Sequence, residues 1–433
     1  MEVEIILFGV LYFGVGLLVL LASGMPIGVA FAVLGGAYIL IFRGTVGLGA
    51  VGNISWDYLT SELLITVPLF ILMGEILFAG GLGANLFETA SKWLGHLPGG
   101  LAVASVASCA LFASVCGSSV ATTATIGTVA YPEMTKRGYD TRLAAGILTT
   151  GGGIGILIPP SIPLIIYAFI AEQSVGKMFM AGVVPGLLFT VLPGLYVVLS
   201  VLLKPELAPR TEPTTWRDRF ASLRYLWTIV VLVICVLGAL YSGIVTASEA
   251  GAVGAIVSFL IVVLYKRTPL SLVWKAVMRT IRTSAFLALL LIGAHVMNHA
   301  IAWSGIPGVA MLFLIEQVPP WGIIPMMAGV YFILGMFMDT LAVMLLLMPI
   351  LLPVMSQLGL DPVWFGVILV LNNEIALLTP PVGANMFVIQ KVTGLPTMKV
   401  VRGVLPFVAV DVIGMILCAV FPILVLWLPN TMG

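Results

Sequence analysis

The stretch GGGIGILIPPSIPLIIYA, residues 151–168, decides how the rest of the chain is read. It lies inside an apolar run long enough to cross a bilayer, yet three glycines and the pair Pro159-Pro160 interrupt it. Proline donates no backbone hydrogen bond and breaks a helix, and glycine tolerates the unwound chain that results. The stretch LLTPPVGANMFV, residues 377–388, carries the same proline pair. Sliding the sequence by 221 positions superposes Ala121 to Pro185 on Ala342 to Pro406 without a gap. Pro132 then meets Pro353, Gly138 meets Gly359, Asp140 meets Asp361, and Pro185 meets Pro406. Four of the five prolines in the first window fall on prolines of the second, so the chain is an internal repeat with one broken helix in each half.

Composition sets the solvent. Of 433 residues, 61% are hydrophobic and 9% are charged, against roughly 25% charged in a soluble domain. Such a chain cannot build a water-facing surface, so its solvent is lipid. A net charge of +1 leaves no electrostatic footprint for nucleic acid. Cys109, Cys116, Cys235 and Cys418 lie in apolar runs without CxxC spacing, which favours packing over metal or disulfide roles. Glu2 and Glu4 precede the first apolar run where a signal peptide would carry basic residues, so a retained first helix is expected.

Full spans are expected near 4–22, 25–42, 63–81, 142–172, 178–203, 225–243, 247–265, 283–303, 362–391 and 403–428. Two further stretches, 98–135 and 320–358, are too long for one crossing of ~20 residues and too interrupted for two. Each has a polar or small break at its middle, and both are read as re-entrant hairpins. The fold class is therefore an all-α polytopic membrane protein with about ten transmembrane helices plus two re-entrant hairpins, arranged as an inverted repeat. With this alternation 17 lysines and arginines share one side, and only Arg43 and Lys177 fall on the other. The positive-inside rule then puts both termini outside, with the first hairpin opening to the cytoplasm and the second opening outward. Residues 204–224 have soluble composition and read as a cytoplasmic linker. Amphipathic pieces near 84–97 and 270–282 belong at the cytoplasmic interface.

Four segments carry the chemistry. In the first half they are Gly117-Ser118-Ser119, with Thr122, and Gly151-Gly152-Gly153, followed by Pro159-Pro160-Ser161. In the second half they are Asp339-Thr340 and Asn372-Asn373-Glu374, followed by Thr379-Pro380-Pro381, Gly383 and Asn385. Freed carbonyls and side-chain oxygens at such breaks make a cage for a hard cation, and the lack of soft ligands argues against zinc or copper. Half-helix N-termini at the same breaks suit a carboxylate. One cation site is expected from Gly117, Ser118, Ser119, Gly151, Gly152 and Gly153, and a second from Asp339, Thr340, Asn372, Thr379, Pro380 and Gly383. Ser119, Thr122, Ser161, Asn373 and Asn385 are the candidates for substrate. Small residues also serve close helix packing, and a Pro-Pro pair can be a plain kink. The glycine run lacks the Lys-Ser/Thr ending of a nucleotide loop, and Ser118 has no nearby histidine to make it a nucleophile, so no enzyme is expected. Glu75, His295, Asn298, His299, Glu374 and Asp411 lie in or near spans, where an ionisable group is a functional candidate by default.

GSSVATTATIG (117–127), GGGIGILIPPSIPLIIYA (151–168), MFMDTLAVMLLLMPI (336–350) and LLTPPVGANMFV (377–388) together resemble the large, DctM-type membrane subunit of tripartite ATP-independent periplasmic (TRAP) transporters. The resemblance covers nearly the whole chain. It implies import of small organic anions, mostly carboxylates such as C4-dicarboxylates, sialic acids and other sugar acids. It implies an elevator mechanism in the bacterial inner membrane, sodium as the coupling ion and no organic cofactor. It also implies two protein partners, a small four-helix membrane subunit and a periplasmic substrate-binding protein. On that pattern residues 1–97 and 225–318 are scaffold, and 98–203 and 319–428 are the moving domain. The competing reading is a stand-alone cation/proton or anion antiporter of related hairpin architecture.

Overall fold

The structure, a computed structural model, describes residues 8–209 and 214–432. Among the described residues 83% are helical and no strand occurs. Six helices among the described residues are long and apolar enough to cross a membrane, or up to eight if each of two bent pairs counts as one span. The second arm of the second hairpin, Thr340–Gln357, is one of the six, whereas the first arm of each hairpin and the second broken span are shorter, Gly100–Cys116, Gly322–Gly335 and Pro362–Leu377. A crossing needs ~20 residues, so helices of this length fit chains that stop part-way. The first seven residues, with Glu2 and Glu4, lie outside the described residues, as does Arg210.

The repeat is visible in capping detail. Thr141–Gly153 begins on Asp140, whose carboxylate accepts from Arg142 N and Leu143 N at 2.8 and 3.0 Å. Pro362–Leu377 begins on Asp361, whose carboxylate accepts from Val363 N and Trp364 N at the same 2.8 and 3.0 Å. Each pair of partners is related by the 221-residue shift. An N-terminal turn leaves N–H groups without helical partners, and an aspartate at the cap satisfies two of them.

The helices form two groups. In the outer group Ile27–Leu59 packs along Leu270–Ser304, and Leu63–Ala79 packs on Ala247–Phe259 and Leu270–Ser304. Gly28, Gly35 and Gly293 permit the first contact: a methyl at Gly35 would stand 2.7 Å from Met297 Cα, and one at Gly293 would overlap the Gly28 carbonyl. Small residues bring membrane helices together because lipid supplies no hydrophobic drive between them. In the central group the halves interlock. Ser119–Lys136 packs on Ala384–Thr393 of the other half, and Thr340–Gln357 packs on Ile162–Ile170. The Tyr167 ring fills the space a side chain at Gly366 would need, and its hydroxyl donates to Pro362 O at 2.7 Å.

Three connections differ from expectation. The loop placed at 43–62 is helical through Leu59, broken only at Gly44, whose φ of 66° and ψ of −166° no helix has. Ser304 to Trp321 holds the helix Ile306–Gln317. The linker 204–224 folds in part: Trp216–Leu223 is a helix that docks on Leu82–Leu94. Trp93 Nε1 donates to Arg219 O at 3.1 Å, and Trp93 and Phe220 pack edge to face. The stretch is polar in bulk but buries Arg219 and Ser222 on one side of a helix, and bulk polarity hides such a face.

The matched caps make a measurable prediction. Asp361→Ala should lower the stability of the purified chain by about 1 kcal/mol, and Asp361→Asn by less, since the amide oxygen still accepts. Thermal denaturation in detergent compares the two, and Asp140→Ala should behave as Asp361→Ala does.

Candidate functional site

The first hairpin tip is built by a change of backbone hand. Gly117 ends Gly100–Cys116 in the left-handed region, φ 63°, which glycine enters without a steric penalty. Ser118 follows in extended conformation and caps Ser119–Lys136, its Oγ accepting from Ala121 N at 3.4 Å. Thr122 and Thr123 donate to Ser118 O and Ser119 O, both at 2.8 Å. The tip rests on the first broken helix. A methyl at Gly117 would stand 2.7 Å from the Pro160 carbonyl oxygen, and one at Gly155 would stand 3.0 Å from Ser118 O and Thr122 Oγ1. A methyl at Gly152 would overlap Thr123 Oγ1. Close approach explains the glycine run at 151–155. Ser161 caps Ile162–Ile170, accepting from Leu164 N at 3.4 Å and donating to Ile156 O.

The second tip uses an acid where the first uses a serine. Asp339, the repeat mate of Ser118, caps Thr340–Gln357 and accepts from Leu341 N at 2.8 Å and Ala342 N at 3.4 Å. Thr340 Oγ1 accepts from Asn373 Nδ2 at 2.7 Å, which ties the tip to the second broken helix. A methyl at Gly335 would stand 2.7 Å from Asn373 Oδ1, so both hairpin arms lie on that helix. Asn372 Nδ2 donates to Ala328 O at 2.8 Å, and Thr379 Oγ1 bonds back to Ile375 O at 2.7 Å. Gly383, φ 58°, restarts the chain as Ala384–Thr393.

The structure therefore brings Gly117, Ser118, Ser119, Thr122 and Gly151 to Gly155 to one place, and Thr340 and Asn373 to its counterpart. It puts Asn385 elsewhere, beneath the crossing of the two broken helices, where Asn385 Nδ2 donates to Glu374 Oε1 at 3.1 Å. Glu374 lies in the last turn of Pro362–Leu377 and not in the break, because the helix runs three residues past it. Four half-helices start at these breaks and bring their N-terminal N–H groups there, while Thr141–Gly153 and Pro362–Leu377 end there and bring their C-terminal carbonyls. The arrangement offers oxygen ligands to a hard cation and N–H groups to an anion within one buried unit.

Other intramembrane polar groups settle into packing. His295 stacks on Tyr58 with centroids 3.5 Å apart, and His299 packs on Trp303 at 4.2 Å. Asn298 Nδ2 donates to Leu345 O at 2.9 Å, joining the outer group to the second hairpin. Among the described residues no cluster of three or more His, Cys, Asp or Glu could hold a metal. The four cysteines are free. Glu75 pairs with Arg279 at 2.7 Å within the outer group. Phe70 faces Phe179, and a methyl at Gly74 would stand 3.1 Å from Cys116 Cα, so the groups touch mainly through apolar surface. A cleft of about 650 Å³ opens between them, lined by Glu62, Thr66, Tyr241 and Thr246 on one wall and by Phe169 and Gln173 on the other.

Residues 15–424 match the family model described as "Tripartite ATP-independent periplasmic transporter, DctM component". The chain is 38% identical over 379 residues to a Pseudomonas aeruginosa C4-dicarboxylate TRAP transporter large permease protein, covering 86% of this chain and 88% of that one. It is 32% identical over 418 residues to a Vibrio cholerae sialic acid TRAP transporter large permease protein, covering 96% and 97%. Among solved structures it resembles Neisseria gonorrhoeae MtrF, an antimetabolite efflux pump, with a TM-score of 0.62 over 90% of this chain and 85% of that one. At 12% identity that likeness shows the fold alone.

Close approach at the breaks can be tested directly. Gly152→Ala and Gly153→Ala insert a methyl where Thr123 and Glu374 already stand. Each should cost about 1–3 kcal/mol of overpacking. Gly36→Ala, with nothing within 4 Å of its added methyl, should be near neutral. Melting temperatures of the purified variants provide the comparison.

Proposed function

The chain belongs to the DctM component family of tripartite ATP-independent periplasmic transporters, and on that premise we propose that it imports small organic anions together with sodium ions. The observation that carries this reading is the matched pair of sites. A hairpin tip capped by Ser118 rests on the first broken helix, and a tip capped by Asp339 is joined by Thr340 to the second. Each tip supplies oxygens for a cation of sodium's hardness, and the N-termini beside them suit a carboxylate. C4-dicarboxylates and sialic acid, the substrates in the names of its relatives, both carry that group. A monocarboxylate moving with two sodium ions carries net positive charge inward, which gains ~2.3 kcal/mol per 100 mV.

Residues 1–97 and 225–318 are then scaffold, and 98–203 and 319–428 are the domain that carries the site across. The interlocked packing of the two halves favours movement as one body, and the mainly apolar boundary with the outer helices favours sliding. Both termini lie in the periplasm, and the Lys- and Arg-rich loops face the cytoplasm. A small four-helix membrane subunit and a periplasmic binding protein complete the transporter, and the binding protein selects the anion.

Proteoliposomes containing the chain and its small subunit should take up the anion only when the loaded binding protein is outside and sodium is present. Replacing sodium with potassium or choline should abolish uptake. Ser119→Ala, Asp339→Ala and Thr340→Ala should raise the sodium concentration needed for half-maximal uptake while leaving expression near normal. Sodium-independent uptake would reject the coupling, and uptake without the binding protein would favour the stand-alone antiporter.

A further inference from the structure

Behind the hairpin tips lies a set of oxygens that neither cage uses. Glu374 Oε1 accepts from Asn385 Nδ2, but Glu374 Oε2 and Asn385 Oδ1 have no hydrogen-bond partner, and the two residues are 2% and 0% exposed. Asp411, 2% exposed, leaves Oδ1 without a partner and lies on Thr397–Val420, which packs against Pro362–Leu377, the helix that carries Glu374. Thr150, also 2% exposed, leaves its Oγ1 without one. Helix register places Thr150 level with Asp411. A methyl at Gly403 would crowd the Arg142 carbonyl, Phe407 lies against Gly146, and the next turn of each helix brings Asp411 to Thr150.

The surroundings are negative. Thr141–Gly153 ends where Glu374 sits, since a methyl at Gly153 would overlap that carboxylate, and Pro362–Leu377 ends three residues beyond it. Each helix C-terminus carries a partial negative charge of about half an electron. The basic residues of the helices packed here, Arg142, Lys391, Lys399, Arg402, Lys136 and Lys177, stand near helix ends, and among the described residues no ion pair involves Glu374 or Asp411. Buried carboxylates without a counter-charge are costly in a low-dielectric interior. A proton would neutralise one carboxyl and supply a single donor, enough to pair one of the leftover oxygens and not the rest. A hard cation would be matched by carboxylate, amide and hydroxyl oxygens alike.

We propose that Glu374, Asn385, Asp411 and Thr150 form a third cation site, for a sodium ion, separate from the two hairpin tips. It has no mate in the repeat. The positions 221 residues away are Gly153, Leu164, Thr190 and Leu371, none of them acidic. Gly153 gives up its side chain so that Glu374 can occupy the crossing. The site thus adds one unpaired ion to a symmetric pair.

The inference rests on the sodium-coupled reading, and counting bound ions separates the two. The full-length chain in lipid nanodiscs is titrated with radioactive sodium at fixed pH, with potassium replacing sodium to hold ionic strength. Glu374→Gln and Asp411→Asn should each bind one ion fewer than the unaltered chain. Asn385→Leu, which installs the residue of the other half, should raise the sodium half-saturation about tenfold and serves if the acid variants fail to fold. Equal ion counts in all variants would overturn the third site and leave the paired cages standing. Unchanged sodium binding with loss of a proton bound or released would make this a proton site and overturn the proposal. An unaltered chain that binds no sodium would overturn the sodium-coupled reading itself.

Discussion

A backbone carbonyl set free in the middle of a bilayer finds no water, so the protein must supply its partner. Thr141–Gly153 and Pro362–Leu377 both stop inside the bundle, and Pro159-Pro160 and Pro380-Pro381 prevent either from continuing. The remaining architecture answers that demand. Each break is covered by a short hairpin whose second arm starts on a side-chain cap, Ser118 or Asp339, and that second arm also packs onto the opposite half. Each half covers its own break with its own tip, and the contacts of Ser119–Lys136 with Ala384–Thr393 and of Thr340–Gln357 with Ile162–Ile170 then join the two covered breaks.

The same demand concentrates chemistry. Groups left over when helices stop are carbonyls at one end and N–H groups at the other, and two broken helices with two hairpins gather both kinds within a buried unit. Symmetry makes the tips a pair. Asymmetry then refines them: aspartate replaces serine at one cap, and Asn-Asn-Glu stands against Gly-Gly-Gly at the crossing. The glycine run is the complement of that acidic run, because the Glu374 carboxylate fills the space beside Gly153. Room for one half's side chains is made by their deletion from the other.

Much of this was legible in the sequence because prolines and glycines act locally. The proline pairs, the tips and the matched aspartates at 140 and 361 announce helix ends by themselves, and the structure puts helix boundaries at each. What escaped depends on neighbours far along the chain. Asn385 stands out in the sequence because it follows a break, but its bond to Glu374 on the preceding half-helix has no local signal. Thr150 drew no notice, since a threonine in an apolar run is ordinary until its hydroxyl proves unpartnered. The helix within 204–224 is not legible because bulk polarity signals a loop, and the face that docks on Leu82–Leu94 is made by Arg219 and Ser222, whose backbone carbonyls accept from Trp93 and Thr89.

Movement of the central group as a single body is the claim on which transport depends, and distances between spin labels in lipid test it most directly. Labels at Ser174 and Ser242 stand on opposite walls of the cleft between the two groups, while labels at Lys136 and Ser174 both lie on the central group. Adding sodium and the anion should change the first distance distribution and leave the second unaltered. A fixed first distance, or a second that changes with it, would contradict rigid movement and leave local opening of the hairpins as the account of transport.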